Sequence, residues 1–233
     1  MKTSFTTKQK LCLVLCVLTV LNALCLTQLH KTHLKTKAVC DLTDQYEVDI
    51  LEMEDSNRKT LETRLLTMDA FVEAAREIFD KEAFPEGVSA MLAYDGDNMG
   101  KKAEQYGRNE VNKLMVAFAD VTKQHFPEND KNIVCNVGEK SDEFYVLLLG
   151  RPSEESLIRE VEAFQQDIRQ IRIQTESGEE LTGSVSIGIA FYHQGDSFDG
   201  LFEEADAAGY AAKDAGKDCY YVADSREAEH ENG

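Results

Sequence analysis

Residues 184–217 have the sequence SVSIGIAFYHQGDSFDGLFEEADAAGYAAKDAGK, in which two hydrophobic periods follow each other. Apolar residues alternate with small or polar ones from Val185 to Phe191, which predicts a strand with one face in a core. A helix is predicted over 197–215, because Gly216 stops it. A further short strand is predicted over 219–222. This order of strand, helix and strand indicates a sheet covered by helices.

Upstream of residue 184, predicted helices and strands also alternate along the chain. Helices are predicted over 60–82, from about 99 to 127 and from 153 to 171, and strands over 88–94, 132–137 and 143–149. A tight polar turn separates the last two strands, which indicates a hairpin. The order helix, then β-α-β-β-α-β-α-β, predicts an α/β class of the α+β sandwich type, with a mixed central sheet and helices on both faces.

The charge of the chain is unevenly distributed. Residues 1–40 contain six lysines and no acidic residue, so residues 41–233 hold all 43 acidic residues against 19 lysines and arginines, a net charge of −24. A body this acidic repels a phosphate backbone, which argues against nucleic acid as a partner. It is compatible with a phosphate-bearing ligand only where metal ions or a few placed lysines cancel the local charge.

The N-terminal segment is typical of a targeting signal. An apolar run from Leu11 to Leu26 follows three lysines, and its sixteen residues suit a signal-peptide core but are short for a membrane span of about 20. Residues 1–26 are therefore predicted to be a signal peptide or signal anchor, and residues 27–60 a linker or targeting segment. The expected localisation is the secretory pathway, membrane-anchored or secreted, with organelle targeting as the alternative. Membrane contact is expected only through this segment. Residues 224–233 are predicted to be a polar tail.

Two acidic motifs lie at predicted strand ends. Asp95-Gly-Asp-Asn98 follows strand 88–94, and Asp142-Glu143 comes at the start of strand 143–149. Each motif alone fits an ordinary surface turn, since Asp and Asn hydrogen-bond locally there. Together they bring Asp95 and Asp142 to places where both carboxylates can converge on one divalent ion. Hard carboxylate oxygens suit Mg²⁺, or Mn²⁺, which shares its coordination sphere with substrate phosphates.

Five stretches of the chain, in order over some 130 residues, match the pattern of a known family. They are Asp95-Gly-Asp-Asn98, Tyr106-Gly107, Ser141-Asp-Glu-Phe144, Ser184–Ala190, and Ala205–Lys213 with Ala215-Gly-Lys217. In these stretches, residues 61–223 resemble the GGDEF domain of diguanylate cyclases, which join two GTP molecules into cyclic di-GMP. The resemblance implies the palm-like fold of nucleotide cyclases, Mg²⁺ or Mn²⁺ as cofactor, and a nucleoside triphosphate as ligand.

The resemblance also implies roles for the acidic residues. Asp95 and Asp142 would ligate the metal, together with the carbonyl of Gly96. Glu143 would lie beside the reacting 3′-hydroxyl and the α-phosphate, so Glu143 and Asp142 would be the catalytic residues. Metal ions that neutralise the attacking and leaving oxygens of an in-line displacement make this arrangement chemically coherent.

For the nucleotide, the resemblance implies three contacts. Lys213 and Lys217 would bind triphosphate oxygens, although cations near the end of a helix are also stabilising by themselves, by about 0.3–1 kcal/mol. Asn112 falls where the family reads guanine with an Asp, and Ala103 falls where the family has an Asn. Because an Asn offers guanine only one acceptor, the expected base preference is relaxed between GTP and ATP.

The signature loop departs from the family at its first two positions. Lys140 and Ser141 stand where the family has glycines, and side chains there are expected to crowd a nucleotide. Two functions therefore compete. One is a divergent metal-dependent nucleotide-binding protein with weak diguanylate cyclase activity. The other is a catalytically inactive module that binds a nucleotide or a protein partner. Either function is compatible with a homodimer.

Overall fold

The structure, a computed structural model, describes residues 7–138 and 141–224. Its contacts divide the chain near residue 55 into two compact units. Helix α1 (Thr7–Asn57) accounts for the first unit. Residues 27–60, predicted to be a linker or targeting segment, are helical as far as Asn57. The stretch contains no Pro or Gly, the two residues that interrupt a helix most strongly.

The apolar part of α1, from Leu11 to Leu26, is shorter than a membrane span of about 20 residues. Among the residues whose side chains the structure describes, no helix is long and apolar enough to cross a membrane. This finding contradicts the predicted localisation through a signal or anchor in residues 1–26. Sixteen helical residues rise about 24 Å, whereas the hydrocarbon core of a bilayer is about 30 Å thick.

The elements of the second unit are α2 (Met68–Asp80), β1 (Val88–Gly96), α3 (Met99–Tyr106), α4 (Arg108–His125), β2 (Asn132–Asn136), β3 (Glu143–Arg151), α5 (Glu154–Arg169), β4 (Ile173–Gln174), β5 (Glu180–Leu181), β6 (Val185–Phe191), α6 (Phe198–Asp214) and β7 (Tyr220–Val222). Five strands form a mixed sheet in the order β2-β3-β1-β6-β7, in which only the β6–β7 pair is parallel. A separate two-stranded ribbon is formed by β4 and β5. The predicted fold class is confirmed.

Helices cover both faces of this sheet. Successive side chains of a strand point to opposite faces, so each strand contributes to two cores. On one face, Leu92 of β1 belongs to a core that includes Phe118 of α4 and Phe164 of α5. On the other face, the neighbouring Met91 belongs to a core that includes Phe71 of α2 and Leu201 of α6. The apolar strands are thus buried on both sides, and functional groups are confined to the strand ends.

Helix α6 packs unusually close to β6. A Cβ atom added to Gly188 would lie 2.0 Å from the carbonyl oxygen of Ala205 and 2.2 Å from the amide nitrogen of Gly209. Side chains larger than hydrogen are therefore excluded at this contact, and the helix backbone lies directly on the strand. Ser197 caps the start of this helix, since its Oγ accepts from the amide of Gly200.

The elements predicted from the sequence differ from the observed ones in three places. The helix expected from residue 99 to 127 is observed as two helices, because Gly107 has φ of +90° and interrupts the helix between α3 and α4. The helix expected from residue 60 begins only at Met68, where Thr67 accepts from the amide of Ala70 and caps it. The ribbon β4–β5 was not predicted, since two-residue strands carry no measurable period.

Candidate functional site

Strand pairing brings the two acidic motifs to one edge of the sheet. In β1, Asp95 pairs with Glu143 of β3 on one side and with Ser186 of β6 on the other. The amide of Gly96 donates to the carbonyl oxygen of Asp142 at 3.0 Å. Residues about 47 positions apart in sequence are thus neighbours, because the end of β1 meets the start of the antiparallel β3.

Lys213, in the last turn of α6, contacts the first of these acids. Its Nζ lies 2.9 Å from Oδ2 of Asp95, and the two side chains are 29% and 19% exposed. The same ammonium lies 5.2 Å from the ring centroid of Tyr210, one turn earlier in the helix. Asp95, from the first acidic motif, and Lys213, from the C-terminal motif, are therefore in contact at this edge of the sheet.

The environment changes the pKa values of this ion pair. Burial raises the pKa of Asp95 to about 6, the hydrogen bond from Lys213 opposes the rise, and the charges of Asp142 and Glu143 add to it. Burial lowers the pKa of Lys213, but its hydrogen bond and attraction to Asp95, with the charges of Tyr210 and Glu143, outweigh this and raise it. The carboxylate is the less exposed partner, which explains why burial prevails for it alone. Both groups are charged at neutral pH.

Two cavities flank this edge of the sheet. A cleft of about 400 Å³ lies against α3 and α4, and its lining includes Ala103, Arg108, Asn112 and Asp142. A smaller cavity of about 20 Å³, room for roughly one water molecule, is lined by Asp95, Glu143, Tyr145, Asp206 and Lys213, among others. Asn112 and Asp142 thus share one cleft, while Asp95, Glu143 and Lys213 share the other cavity.

Lys217 lies in the loop that follows α6. Its Nζ donates to Oδ1 of Asn98 at 2.7 Å, which links this loop to the turn after β1. The backbone of Lys217 has φ of +68°, an uncommon conformation for a lysine. The structure therefore brings Lys217 to the turn that begins at Asp95, and shows it bonded to an amide rather than to a carboxylate.

Asp97 organises this turn, and sequence analysis did not identify it as important. The residue is only 2% exposed. Its carboxylate accepts from the hydroxyls of Ser184 and Ser186, at 2.7 and 2.6 Å, and from the amide of Asp218 at 3.0 Å. One signal was available, since two serines flank Val185 on a strand predicted to be buried, and buried hydroxyls need partners.

Tyr145 and Asp206 form a second pair that sequence analysis missed. The Tyr145 hydroxyl donates to Oδ1 of Asp206 at 3.2 Å across the smaller cavity. Burial, followed by the charge of Asp206, raises the pKa of Tyr145, so the phenol stays protonated and available as a donor. Alternation along β3 gave no hint of this contact, because its acceptor lies 61 residues away on α6.

This edge of the sheet has a small set of oxygen donors for a divalent metal ion. Within residues 7–138 and 141–224, no group of three or more His, Cys, Asp or Glu side chains is arranged to hold a metal. Asp95, Asp142 and the carbonyl of Gly96 do supply the hard oxygen donors that Mg²⁺ prefers. Because Mg²⁺ is usually held by one or two carboxylates, with water and substrate phosphates completing its shell, this donor set fits the ion.

The signature loop is described from Ser141 onward, and Lys140 lies outside the described residues. The Ser141 hydroxyl accepts from the amide of Glu143 at 3.2 Å, and the Ser141 amide donates to the carbonyl oxygen of Gly138 at 3.1 Å. The serine side chain is thus engaged with the backbone of its own turn.

Comparison with known proteins identifies the family. Residues 62–219 match the family model described as the diguanylate cyclase, GGDEF domain. The match covers more than half of the chain, and the chain therefore belongs to the GGDEF family. No curated protein matches the chain.

Solved structures share the fold at low sequence identity. The GGDEF domain of DgcB from Caulobacter crescentus, in complex with c-di-GMP, is 20% identical with a TM-score of 0.63, covering 71% of this chain and 95% of that one. The coiled coil and GGDEF domain of the same protein is 15% identical with a TM-score of 0.72, covering 81% and 97%. The diguanylate cyclase SiaD from Pseudomonas aeruginosa, in complex with its activator SiaC, is 18% identical with a TM-score of 0.66, covering 92% and 82%.

Proposed function

We propose that the second unit binds a nucleoside triphosphate together with Mg²⁺ and has at most weak diguanylate cyclase activity. One observation carries this proposal: Asp142 lines the same cleft as Asn112, while its carbonyl is bonded to the residue after Asp95. A base in the cleft would have its phosphates beside Asp142, next to the end of β1 that carries Asp95. The family supports the same assignment, since the model matched is that of a diguanylate cyclase domain.

Each residue of the site has a part in this proposal. Asp95, Asp142 and the Gly96 carbonyl would hold the metal ion, which when bound neutralises charge on the phosphates. Lys213 and Lys217 bind triphosphate oxygens as point charges. Glu143, next to Asp95 in the sheet, faces the small cavity and would accept the proton of the attacking 3′-hydroxyl.

The base is read in the cleft by Asn112. Guanine presents two adjacent donors that a carboxylate accepts together, whereas an Asn amide pairs bidentately with adenine. With Ala103 as a second departure, we expect ATP and GTP to bind about equally well. Titration of both nucleotides against the wild type and Asn112→Asp tests this expectation. A wild type that prefers GTP at least tenfold, about 1.4 kcal/mol, with a ratio that Asn112→Asp leaves unchanged, would remove Asn112 from the proposal.

Activity would require two copies of the chain. Joining two nucleotides needs two bound triphosphates, and the site described above has one base-binding cleft. We therefore propose a homodimer as the active form. Light scattering of the full chain, with and without nucleotide and Mg²⁺, measures this directly, and a monomer under both conditions would contradict it.

The direct test of the function is product analysis. The full chain is incubated with Mg²⁺ and each nucleoside triphosphate, and products are identified by mass. Slow formation of a cyclic dinucleotide, lost in Asp95→Asn and Asp142→Asn, is the expected result. Asp199→Asn is the matched control, because Asp199 is exposed and paired with Arg76 on the other side of the sheet from the cleft. Efficient synthesis would show that weak activity is the wrong expectation.

The second candidate is a catalytically inactive module that binds a nucleotide or a protein partner. The ion pair between Lys213 and Asp95 favours it, because one of the two metal-binding carboxylates already has a partner. Nucleotide binding by the wild type without any product would support this candidate.

A further inference from the structure

The carboxylate of Asp95, a proposed metal ligand, already has a cation beside it. Nζ of Lys213 lies 2.9 Å from Oδ2 of Asp95. A magnesium ion bonded to the same oxygen would lie about 2.1 Å from it. Because the ammonium and the metal ion are both positive and would be in contact, the two cannot occupy the same side of the carboxylate together.

We propose that Lys213 closes the metal position of the ligand-free protein, so that the site accepts the metal ion as a complex with a polyphosphate and excludes the free ion. This inference rests on the proposed function and names the form in which its ligand enters. The phosphate oxygens give Lys213 a second partner. When the ammonium moves to them, the freed carboxylate of Asp95 can bind the metal ion.

The surroundings identify Lys213 as the mobile partner. Asp95 is fixed within the sheet, because it is paired with a neighbouring strand on each side. Lys213 has four rotatable side-chain bonds, is 29% exposed, and lies beside the ring of Tyr210, which is 60% exposed. A turn of this side chain toward solvent costs little packing, whereas Asp95 has a short side chain on a backbone held between two strands, so its carboxylate has little reach.

The donor set points the same way. In the part of the chain that the structure describes, no three acidic, His or Cys side chains are arranged to hold a metal. Two carboxylates and a carbonyl bind a divalent ion weakly unless a ligand supplies further oxygens. A polyphosphate supplies these oxygens and also attracts Lys213, so a single ligand meets both needs.

The experiment measures Mn²⁺ binding to the full chain, with free Mn²⁺ followed by electron paramagnetic resonance in the absence of any nucleotide. The variants are Lys213→Met, the double variant Asp95→Asn with Lys213→Met, and Lys81→Met. Lys81 pairs with Glu77 on α2, so Lys81→Met removes the same charge from another ion pair and serves as the matched control. A parallel calorimetric titration uses preformed Mn²⁺–GTP.

The two titrations should shift in opposite directions. We expect Lys213→Met to bind free Mn²⁺ at least tenfold more tightly than the wild type and Lys81→Met, and to lose this gain when Asp95→Asn is added. The same Lys213→Met variant should bind Mn²⁺–GTP at least threefold more weakly, because a phosphate contact is lost. Free Mn²⁺ affinity within twofold of the wild type, or no binding in either protein, would overturn the inference.

The proposed function and this inference fail separately. A wild type that binds neither Mn²⁺–GTP nor Mn²⁺–ATP contradicts the proposed function. Unchanged affinity of Lys213→Met for free Mn²⁺, in a protein that does bind Mn²⁺–GTP, contradicts the inference alone. If Lys213→Met does not fold, as judged by circular dichroism, Lys213→Gln is measured instead, with the same expected result, since its amide is neutral.

Discussion

Asp95 and Asp97 belong to one turn, yet their carboxylates have opposite environments. Asp97 is almost completely buried and accepts from two hydroxyls and one amide. Asp95 borders two neighbouring acids and a small cavity, and it forms an ion pair with a flexible lysine. A carboxylate whose acceptor sites are filled by fixed donors stabilises the fold, whereas one with an exchangeable partner is available to a ligand.

The strongest test of this difference is to remove each negative charge in turn. Asp97→Asn should lower the free energy of unfolding by about 2–4 kcal/mol, because the new amide donors face other donors and buried groups are left without partners. Asp95→Asn should change it by no more than about 1 kcal/mol, since a partly buried charge is also removed. Chemical denaturation of both variants measures the contrast. Equal losses of unfolding free energy would show that the two carboxylates contribute equally to stability, and would contradict the distinction.

The serines that donate to Asp97 give a graded version of the same test. Ser186 is fully buried and Ser184 only partly. We expect Ser186→Ala to cost about 1.5–3 kcal/mol, the usual range for a hydrogen bond to a charged group, and Ser184→Ala to cost less. The same denaturation measurement applies. A larger loss in Ser184→Ala would reverse the assignment of the stronger contact.

The dependence of stability on pH distinguishes Asp95 by its titration. Burial raises the pKa of Asp95 from 3.8 to about 6. Between these values the native protein binds more protons at this group than the unfolded chain does, so its contribution to stability decreases as pH rises from about 4 to 6 and is constant above. Because solvent screens the site, we expect a contribution of about 1 kcal/mol.

Asp95→Asn isolates this contribution. The difference in unfolding free energy between wild type and variant, measured from pH 4 to 7, should follow the titration of Asp95. A difference that does not vary with pH would contradict a raised pKa.

The smallest expected effect concerns Lys217, whose bond to Asn98 parallels the bond between Asp97 and the amide of Asp218. The lysine is partly exposed and its bond is solvent-accessible, so Lys217→Ala should change the unfolding free energy by less than about 0.5 kcal/mol. The same variant should weaken Mn²⁺–GTP binding, measured by calorimetry. A loss of stability approaching that of Asp97→Asn would show that Lys217 holds the loop.

Much of the fold could be predicted from local periodicity. The strands around Val185 and Val146 alternate cleanly, and the helix predicted from residue 153 is observed, with Ser153 as its cap. The break at Gly107 could not be, since a glycine in an amphipathic pattern is compatible with a continuous helix until its φ is known. The predicted localisation was wrong, because the apolar run of sixteen residues is too short to cross a membrane.

The candidate site was predictable only as far as its motifs. Asp95 and Asp142 came from residue type and strand position, and the family pattern added Lys213 and Lys217. The distinction between Asp95 and Asp97 was invisible in sequence, because both are acids in one turn. It depends on Ser186 and Asp218, which are 89 and 121 residues away from Asp97. Periodicity carries no information at that range.

The contact between Gly188 and α6 has a consequence for changes in chain length. Gly209 touches β6 and Lys213 follows it by four residues, so both lie on the same side of the helix, one turn apart. A single inserted or deleted residue between them would rotate Lys213 by about 100° around the helix axis, away from Asp95. Insertions beyond Asp214, or before Phe198, would leave this alignment intact. The tolerance of the protein to indels should therefore change abruptly within one turn of α6.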